Sequence, residues 1–313
     1  QDIHGNLDSS DVQVTVLEII LPTVITRDIS VSLDSFGSAT ITANMIDSAS
    51  FDGCGIDTMW LDNYDFGCGN VGTNVVTLYV EDVGGNIDSA TATVSVSDSI
   101  APNPILQNLT IQLDSFGAAS IVALDLDNGS WDSCGIASYT IDSSNFSCLN
   151  VGTPVTVTLT LTDVNGNTSS DQTLVTIQDV IAPRVITRDL IVYLDSSGGA
   201  TITTAMVDSA SWDSCGIMSY SLSQTDFSCA DIGTNVVSLS ALDIHSNTSS
   251  ANATIIVFDT IGPKVITQNI TVSLDSFGVV SIDSSQINNG SWDSCGIASM
   301  TLDIANFSCL DTG

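Results

Sequence analysis

The sequence predicts an all-β protein: tandem immunoglobulin-like β-sandwich domains strung as an extended rod. Three observations predict it: an internal period near 80 residues, a vocabulary of strand and turn residues, and aliphatics that alternate with threonine and serine. The period is marked by cysteines at 54, 134, 215 and 295 and again at 68, 148, 229 and 309, always 14 further on. Other landmarks keep the same phase, among them Pro22, Pro102, Pro183 and Pro263, and the turn pairs Asp2/Asn6, Asp82/Asn86, Asp163/Asn167 and Asp243/Asn247. A period of this size suits one small β domain per copy and exceeds a solenoid repeat. The expected organisation is residues 1–20 as the end of a preceding repeat, full repeats at 21–100, 101–181 and 182–261, and 262–313 as the start of a further one.

Composition supports the strands. Of 36 acidic residues only Glu18 and Glu81 are Glu, and Lys+Arg total 4. The helix formers Glu and Lys are thus nearly absent, while Val, Ile, Thr, Ser, Asn, Asp and Gly dominate. Val155, Val157, Leu159 and Leu161 alternate with Thr156, Thr158, Thr160 and Thr162, which places aliphatics on one face of a strand. Val94 and Val96, and Val272 and Leu274, follow the same rule. Six or seven such strands per repeat give the count of an immunoglobulin-type sandwich. The Pro-marked linkers near 99–104, 180–185 and 260–265 are short, so the domains are expected to be stiffly strung.

The formal net charge of −32 removes a nucleic-acid partner from consideration, because phosphate binding needs a basic patch. No apolar run reaches a membrane span, and no signal peptide is visible. The chain opens and stops in mid-pattern, which reads as a window on something longer. The two end pieces together fall short of one repeat by the counterpart of Val75–Val80 and its neighbours, so simple strand donation between chains would leave a gap.

Eight cysteines in four equal pairs read as four disulfides, expected as Cys54–Cys68, Cys134–Cys148, Cys215–Cys229 and Cys295–Cys309. Each would close a loop of about 15 residues, worth roughly 3 kcal/mol in a chain-entropy treatment. Zinc is the competing reading, but His4 and His245 are the only histidines and the cysteine spacing is wrong for it. Disulfides place the protein outside the cytoplasm, extracellular or on the cell surface. Phe51, Trp131, Trp212 and Trp292 precede the first cysteine by three residues, and Phe66, Phe146, Phe227 and Phe307 precede the second by two. They are expected to pack on the bridge and fill the core; the functional alternative is a row of carbohydrate-stacking rings.

No catalysis is expected. The same acids recur in every copy, and no serine nucleophile with a recurrent histidine or phosphate loop appears. Calcium is the ligand the carboxylates suit, since hard cations take oxygen donors from turns. The candidate set in the three repeats is Asp82, Asn86 and Asp98; Asp163, Asn167 and Asp179; and Asp243, Asn247 and Asp259. A second acidic loop precedes the first cysteine at Asp47 and Asp52, Asp127 and Asp132, Asp208 and Asp213, and Asn288 and Asp293. The competing reading is that Asp and Asn only serve turns.

The cassette Ser-Trp-Asp-Ser-Cys-Gly-Ile, followed by Asn-Phe-Ser-Cys, Val-Gly-Thr, Thr-Asp-Val-Asn-Gly-Asn and Asp-x-Ile-Ala-Pro, resembles the tandem repeats of giant Bacteroidota surface adhesins. These include the SprB-type gliding-motility adhesin, and the repeats look related to hyalin-repeat (HYR-like) immunoglobulin-fold modules. The resemblance covers essentially the whole chain. It implies an extracellular filament exported by the type IX system, and O-glycosylation at Asp-Ser/Thr-apolar triplets, with Ser48, Ser89, Ser99, Ser209 and Thr260 as candidates. Where many related cassettes have Asp-Asn-Cys, this chain has Asp-Ser-Cys. The expected function is thus the repeat region of a surface fibre, a disulfide-stapled stalk whose partners are other copies of the repeat. A module gripping surface polysaccharide through aromatics and loops is the alternative.

Overall fold

A computed structural model describes residues 1–313. In the first full repeat the elements are β1 (Ile29–Ser32), β2 (Ser38–Thr40), the one-turn helix α1 (Ala43–Ile46), β3 (Ile56–Leu61), β4 (Asp65–Gly67), β5 (Gly72–Asp82) and β6 (Ile87–Ser97). One sheet has the order β1-β6-β5-β3, and β2 pairs with β4 in a second, two-stranded sheet. β1 runs parallel to β6, with Ile29 opposite Val94, while β5 is antiparallel to both β6 and β3. This is an immunoglobulin-type sandwich with its second sheet reduced to a short pair and two single bridges, Thr23 to Phe51 and Thr26 to Asp47.

The pattern repeats. The second repeat has β7 (Leu109–Gln112), β8 (Ala118–Ser120), β9 (Ile136–Ile141), β10 (Asn145–Ser147), β11 (Val155–Asp163) and β12 (Thr168–Gln178). The third has β13 (Leu190–Tyr193), β14 (Gly199–Thr201), α2 (Thr204–Val207), β15 (Ile217–Leu222), β16 (Asp226–Ser228), β17 (Gly233–Asp243) and β18 (Thr248–Phe258). Their large sheets run β7-β12-β11-β9 and β13-β18-β17-β15. The small helical turns were not expected from composition.

Alternation decides what is buried. Val157, Leu159 and Leu161 of β11 have no exposure, while the threonines between them do. In the first repeat Leu33, Ile41, Ile46, Leu61, Phe66, Val76, Leu78, Val80, Ala92, Val94 and Val96 form one core, with Cys68 and Cys134 packed against it. The third repeat has a matching core, against which Cys229 and Cys295 pack. At about 25 cal/mol per Å² of apolar area, such burial is the main favourable term of each sandwich.

Residues 262–313 keep β19 (Val279–Ser281), α3 (Ser284–Ile287) and β20 (Asn306–Ser308) but have no four-stranded sheet. The strand expected around Val272 and Leu274 is therefore unpaired, and Val272 is exposed, because this stretch has no counterparts of β5 and β6 to bond it. Val12, Val14 and Val16 are in phase with the buried Ala92, Val94 and Val96, yet are exposed for the same lack of neighbours.

By contacts the chain forms two compact units: residues 1–110, 120–145 and 154–176 in the first, and 111–119, 146–153 and 177–313 in the second. The division passes through the second repeat instead of following the 80-residue period. No helix is long and apolar enough to cross a membrane.

Candidate junction site

The disulfides do not join the cysteines paired from the sequence. Cys68 bonds Cys134, Cys148 bonds Cys215 and Cys229 bonds Cys295, with Cα–Cα distances of 5.2, 5.2 and 5.1 Å. Cys54 and Cys309 are free and exposed. Each bridge therefore links the second cysteine of one repeat to the first cysteine of the next. Strand direction is the reason. Cys54 lies just before β3, whose Ile56 is opposite Asp82 at the far end of β5, whereas Cys68 begins the 3-10 turn Cys68–Asn70 that leads into Gly72 at the near end. Ten residues of β5 separate those ends by about 33 Å, beyond the reach of a disulfide, whose Cα atoms lie about 4.4–6.8 Å apart.

A glycine makes room at each bridge. A Cβ on Gly37 would sit 2.8 Å from Cys68 Sγ and 3.3 Å from Ser133 Cβ, and one on Gly198 would sit 2.9 Å from Cys229 Sγ and 3.1 Å from Ser294 Cβ. Both glycines have positive φ, +73° and +80°, so backbone conformation and close approach demand the same residue.

The acidic residues gather beside these bridges, in a grouping that differs from the expected one. Asp82 and Asn86 lie in the β5–β6 turn, and Asp98 follows β6; the eleven residues of that strand hold them apart. Asp98 instead meets the next repeat: Asn167 Nδ2 donates to its carbonyl oxygen at 3.3 Å, and its carboxylate lies within 4.8 Å of Asp132. Likewise Asn247 Nδ2 donates to the Asp179 carbonyl at 3.2 Å, and the carboxylates of Asp179, Asp213 and Asp243 converge within 4.8 Å. Asp259 meets Asp293 in the same way, and Glu18 takes the corresponding place before the first repeat, accepting from Asn86 Nδ2 at 2.7 Å. Of the acidic loop before the first cysteine, only the second acid (Asp132, Asp213 or Asp293) joins the linker acid; Asp47, Asp127, Asp208 and Asn288 instead cap their own turns, accepting from the N–H groups of Ser50, Ser130, Ser211 and Ser291. Cys134, Cys215 and Cys295 also lie close by, but as disulfides they offer no thiolate.

Two kinds of carboxylate are present. Asp82, Asp163 and Asp243 are buried and spent on their own turns. Asp163 accepts from the N–H groups of Asn165 and Asn167, both at 2.8 Å, and from Asn167 Nδ2 at 2.7 Å. Asp243 accepts the same set from His245 and Asn247. Burial alone would raise the Asp82 and Asp163 carboxyls. The donors from Asn86, Gly84 and Gly85, and from Asn167, Asn165 and Gly166, outweigh it and hold both below the ordinary carboxylate value. Here the turn reading holds.

The linker carboxylates differ. Asp98 Oδ1 accepts from Ile100 N–H at 3.0 Å, but Asp98 Oδ2 is buried with no partner. At the homologous position Asp179 accepts from Ile181 N–H through Oδ1 and meets His245 Nδ1 at 2.9 Å through Oδ2. Where the third repeat has His245, the second has Asn165 and the first has Gly84. The place of His245, two residues after the recurrent Asp243 in the turn, is the sequence signal that identifies it.

Aromatics divide too. Phe66, Phe146 and Phe227 are buried as expected. Phe51, Trp131, Trp212 and Trp292 are not core residues: the indoles are 52, 48 and 49% exposed and the Phe51 ring 60%. Each sits on an edge bridge to the segment after a linker proline, such as Trp212 with Arg184, so the ring lies outside the sandwich. Of the glycosylation candidates, Ser89, Ser99, Ser209 and Thr260 are exposed and Ser48 is half-buried.

No protein-family profile matches the chain, and no curated protein matches it. Among solved structures it is similar to protocadherin gammaB7 EC3-6 (15% identity, 80% of this chain and 76% of that one, TM-score 0.29). It is also similar to PcdhgB3 EC1-4 (13% identity, 77% and 76%, TM-score 0.31) and to the titin I-band fragment I67-I69 (13% identity, 76% and 98%, TM-score 0.32).

Proposed function

We propose that this chain is the repeat region of an extracellular filament, a passive stalk of surface-adhesin type without catalytic activity. The observation that carries the reading is that the second cysteine of every full repeat is bonded to the first cysteine of the next copy. A globular binding protein or enzyme gains nothing from fastening each copy to its successor, whereas a load-bearing fibre does. Bridges of this number belong outside a reducing cytoplasm. The adhesin resemblance adds display at a cell surface, type IX export and motility to this proposal, with exposed Ser89, Ser99, Ser209 and Thr260 as glycan acceptors. Antibodies against the repeats should label filaments on intact cells of the source organism; labelling that requires permeabilisation contradicts the reading.

Calcium belongs to the same proposal. The donors are hard oxygens, and the bare Asp98 Oδ2 beside Asp132 is the feature of this structure that suits a cation. Asp98, Asp132, Asp179 and Asp213 would hold the ion, while Asp82, Asp163 and Asp243 with Asn86, Asn167 and Asn247 shape the turns. A bound ion would offset repulsion among the crowded carboxylates. Calorimetric titration with CaCl₂ should show binding that D98N/D132N weakens; no heat in the wild-type chain contradicts it.

The half-exposed Trp131, Trp212 and Trp292 favour a second reading, polysaccharide binding by ring stacking. Tryptophan fluorescence should then respond to surface polysaccharide; an unchanged spectrum leaves the stalk reading alone.

A further inference from the structure

We infer that the bridges make a run of these repeats a stretch-limited cable, an inference that rests on the stalk reading. Its basis is the route of covalent bonds. In the third repeat Cys215 receives the bridge from Cys148, and Cys229 passes the next one to Cys295. The shortest covalent route through that repeat is the backbone from Cys215 to Cys229, which contains β15 and β16. The chain from Cys229 to Cys295, a separation of 66, is a closed loop that carries no end-to-end load.

The ends of this route sit at the ends of the sandwich. Ile217 is opposite Asp243, and the 3-10 turn Cys229–Asp231 enters Gly233, so the two cysteines flank opposite ends of β17. That strand spans about 33 Å. The segment between the cysteines, pulled straight, reaches about 50 Å. A repeat can therefore lengthen by about half even when wholly unfolded. A repeat of this period without bridges would reach about 280 Å, and one with the bridge inside it only slightly less. The first repeat has the same arrangement, with Cys54 and Cys68 at opposite ends of β5. Unfolding thus exposes the core without paying out chain, and removal of the load returns the ends to nearly their starting separation.

The test is single-molecule pulling on the full chain, held at Gln1 and Gly313, with the exposed Cys54 and Cys309 alkylated beforehand. In the oxidised chain the load-bearing path is 1–68, 134–148, 215–229 and 295–313, joined by three bridges. Its final extension should be about 40 nm, rising to about 110 nm in reductant. The variant C148S/C215S should lengthen the oxidised end point by about 24 nm, whether or not its repeats fold. An oxidised end point near 90 nm or above overturns the inference. The stalk reading is scored separately, by repeat-sized unfolding steps in the reduced chain. Their absence removes that reading, while the end point still reports the covalent route.

Discussion

At the scale of single residues, the recurrent Asp of each β-hairpin turn is a structural group. The Asp163 carboxylate satisfies two backbone N–H groups and one side-chain amide. Asp163→Ala should destabilise its repeat by about 1–3 kcal/mol, since buried donors lose their partner. Denaturant unfolding of the variant beside wild type measures it. The same carboxylates set an acid limit. Asp82 and Asp163 have folded pKa values below their unfolded ones, so on acidification the unfolded chain takes up protons first. Their stabilising contribution is complete above the unfolded value, about pH 4, and is lost as pH falls through the lower folded values. Melting temperature should hold from neutral pH down to about 5 and drop below about 4; a flat profile down to pH 2 contradicts this. The turn role was legible in the sequence because Asp and Asn recur four residues apart. The bare Oδ2 of Asp98 was not, because it arises only when the following repeat closes over the linker.

At the scale of elements, the six-residue β3 and the three-residue β4 decide the disulfide pattern. A spacing of 14 residues reads as a local loop only if the chain turns back on itself between the cysteines. β3 instead runs the depth of the sandwich, and β4 joins the other sheet, so the second cysteine emerges where the next repeat begins. The alternating residues that announce strands were legible. The order of strands, which fixes the pairing, was not, because it depends on contacts between residues far apart in the chain. The exposure of Trp131, Trp212 and Trp292 escaped for a related reason: their bridges to the linker place them on an edge that spacing alone does not reveal. Gly198→Ala should hinder the Cys229–Cys295 bridge, since the new Cβ meets Cys229 Sγ and Ser294. Thiol titration of the unfolded variant should find more than the two free cysteines of wild type; an unchanged count contradicts the packing argument.

For the whole molecule, the period, the sandwich and the acidic balance were all written in the sequence, and the covalent scheme was what the structure added. A bridge inside a repeat would stabilise that repeat alone. A bridge of separation 66 or 67 ties one repeat to the next and restricts the unfolded chain more, about 4 kcal/mol in all against roughly 3 for a loop of about 15 residues in the same entropy treatment. C68S/C134S should therefore lower the stability of both repeats it joins, and hydrogen exchange across residues 21–181 would show this as faster exchange in both; a change confined to one contradicts it. The stalk and its stretch limit both depend on which sulfurs are bonded. Peptide mapping of the native chain without reduction, after alkylation of free thiols, tests this most directly. The predicted result is linked peptides for Cys68–Cys134, Cys148–Cys215 and Cys229–Cys295, with label on Cys54 and Cys309; a Cys134–Cys148 or Cys215–Cys229 linkage would contradict it.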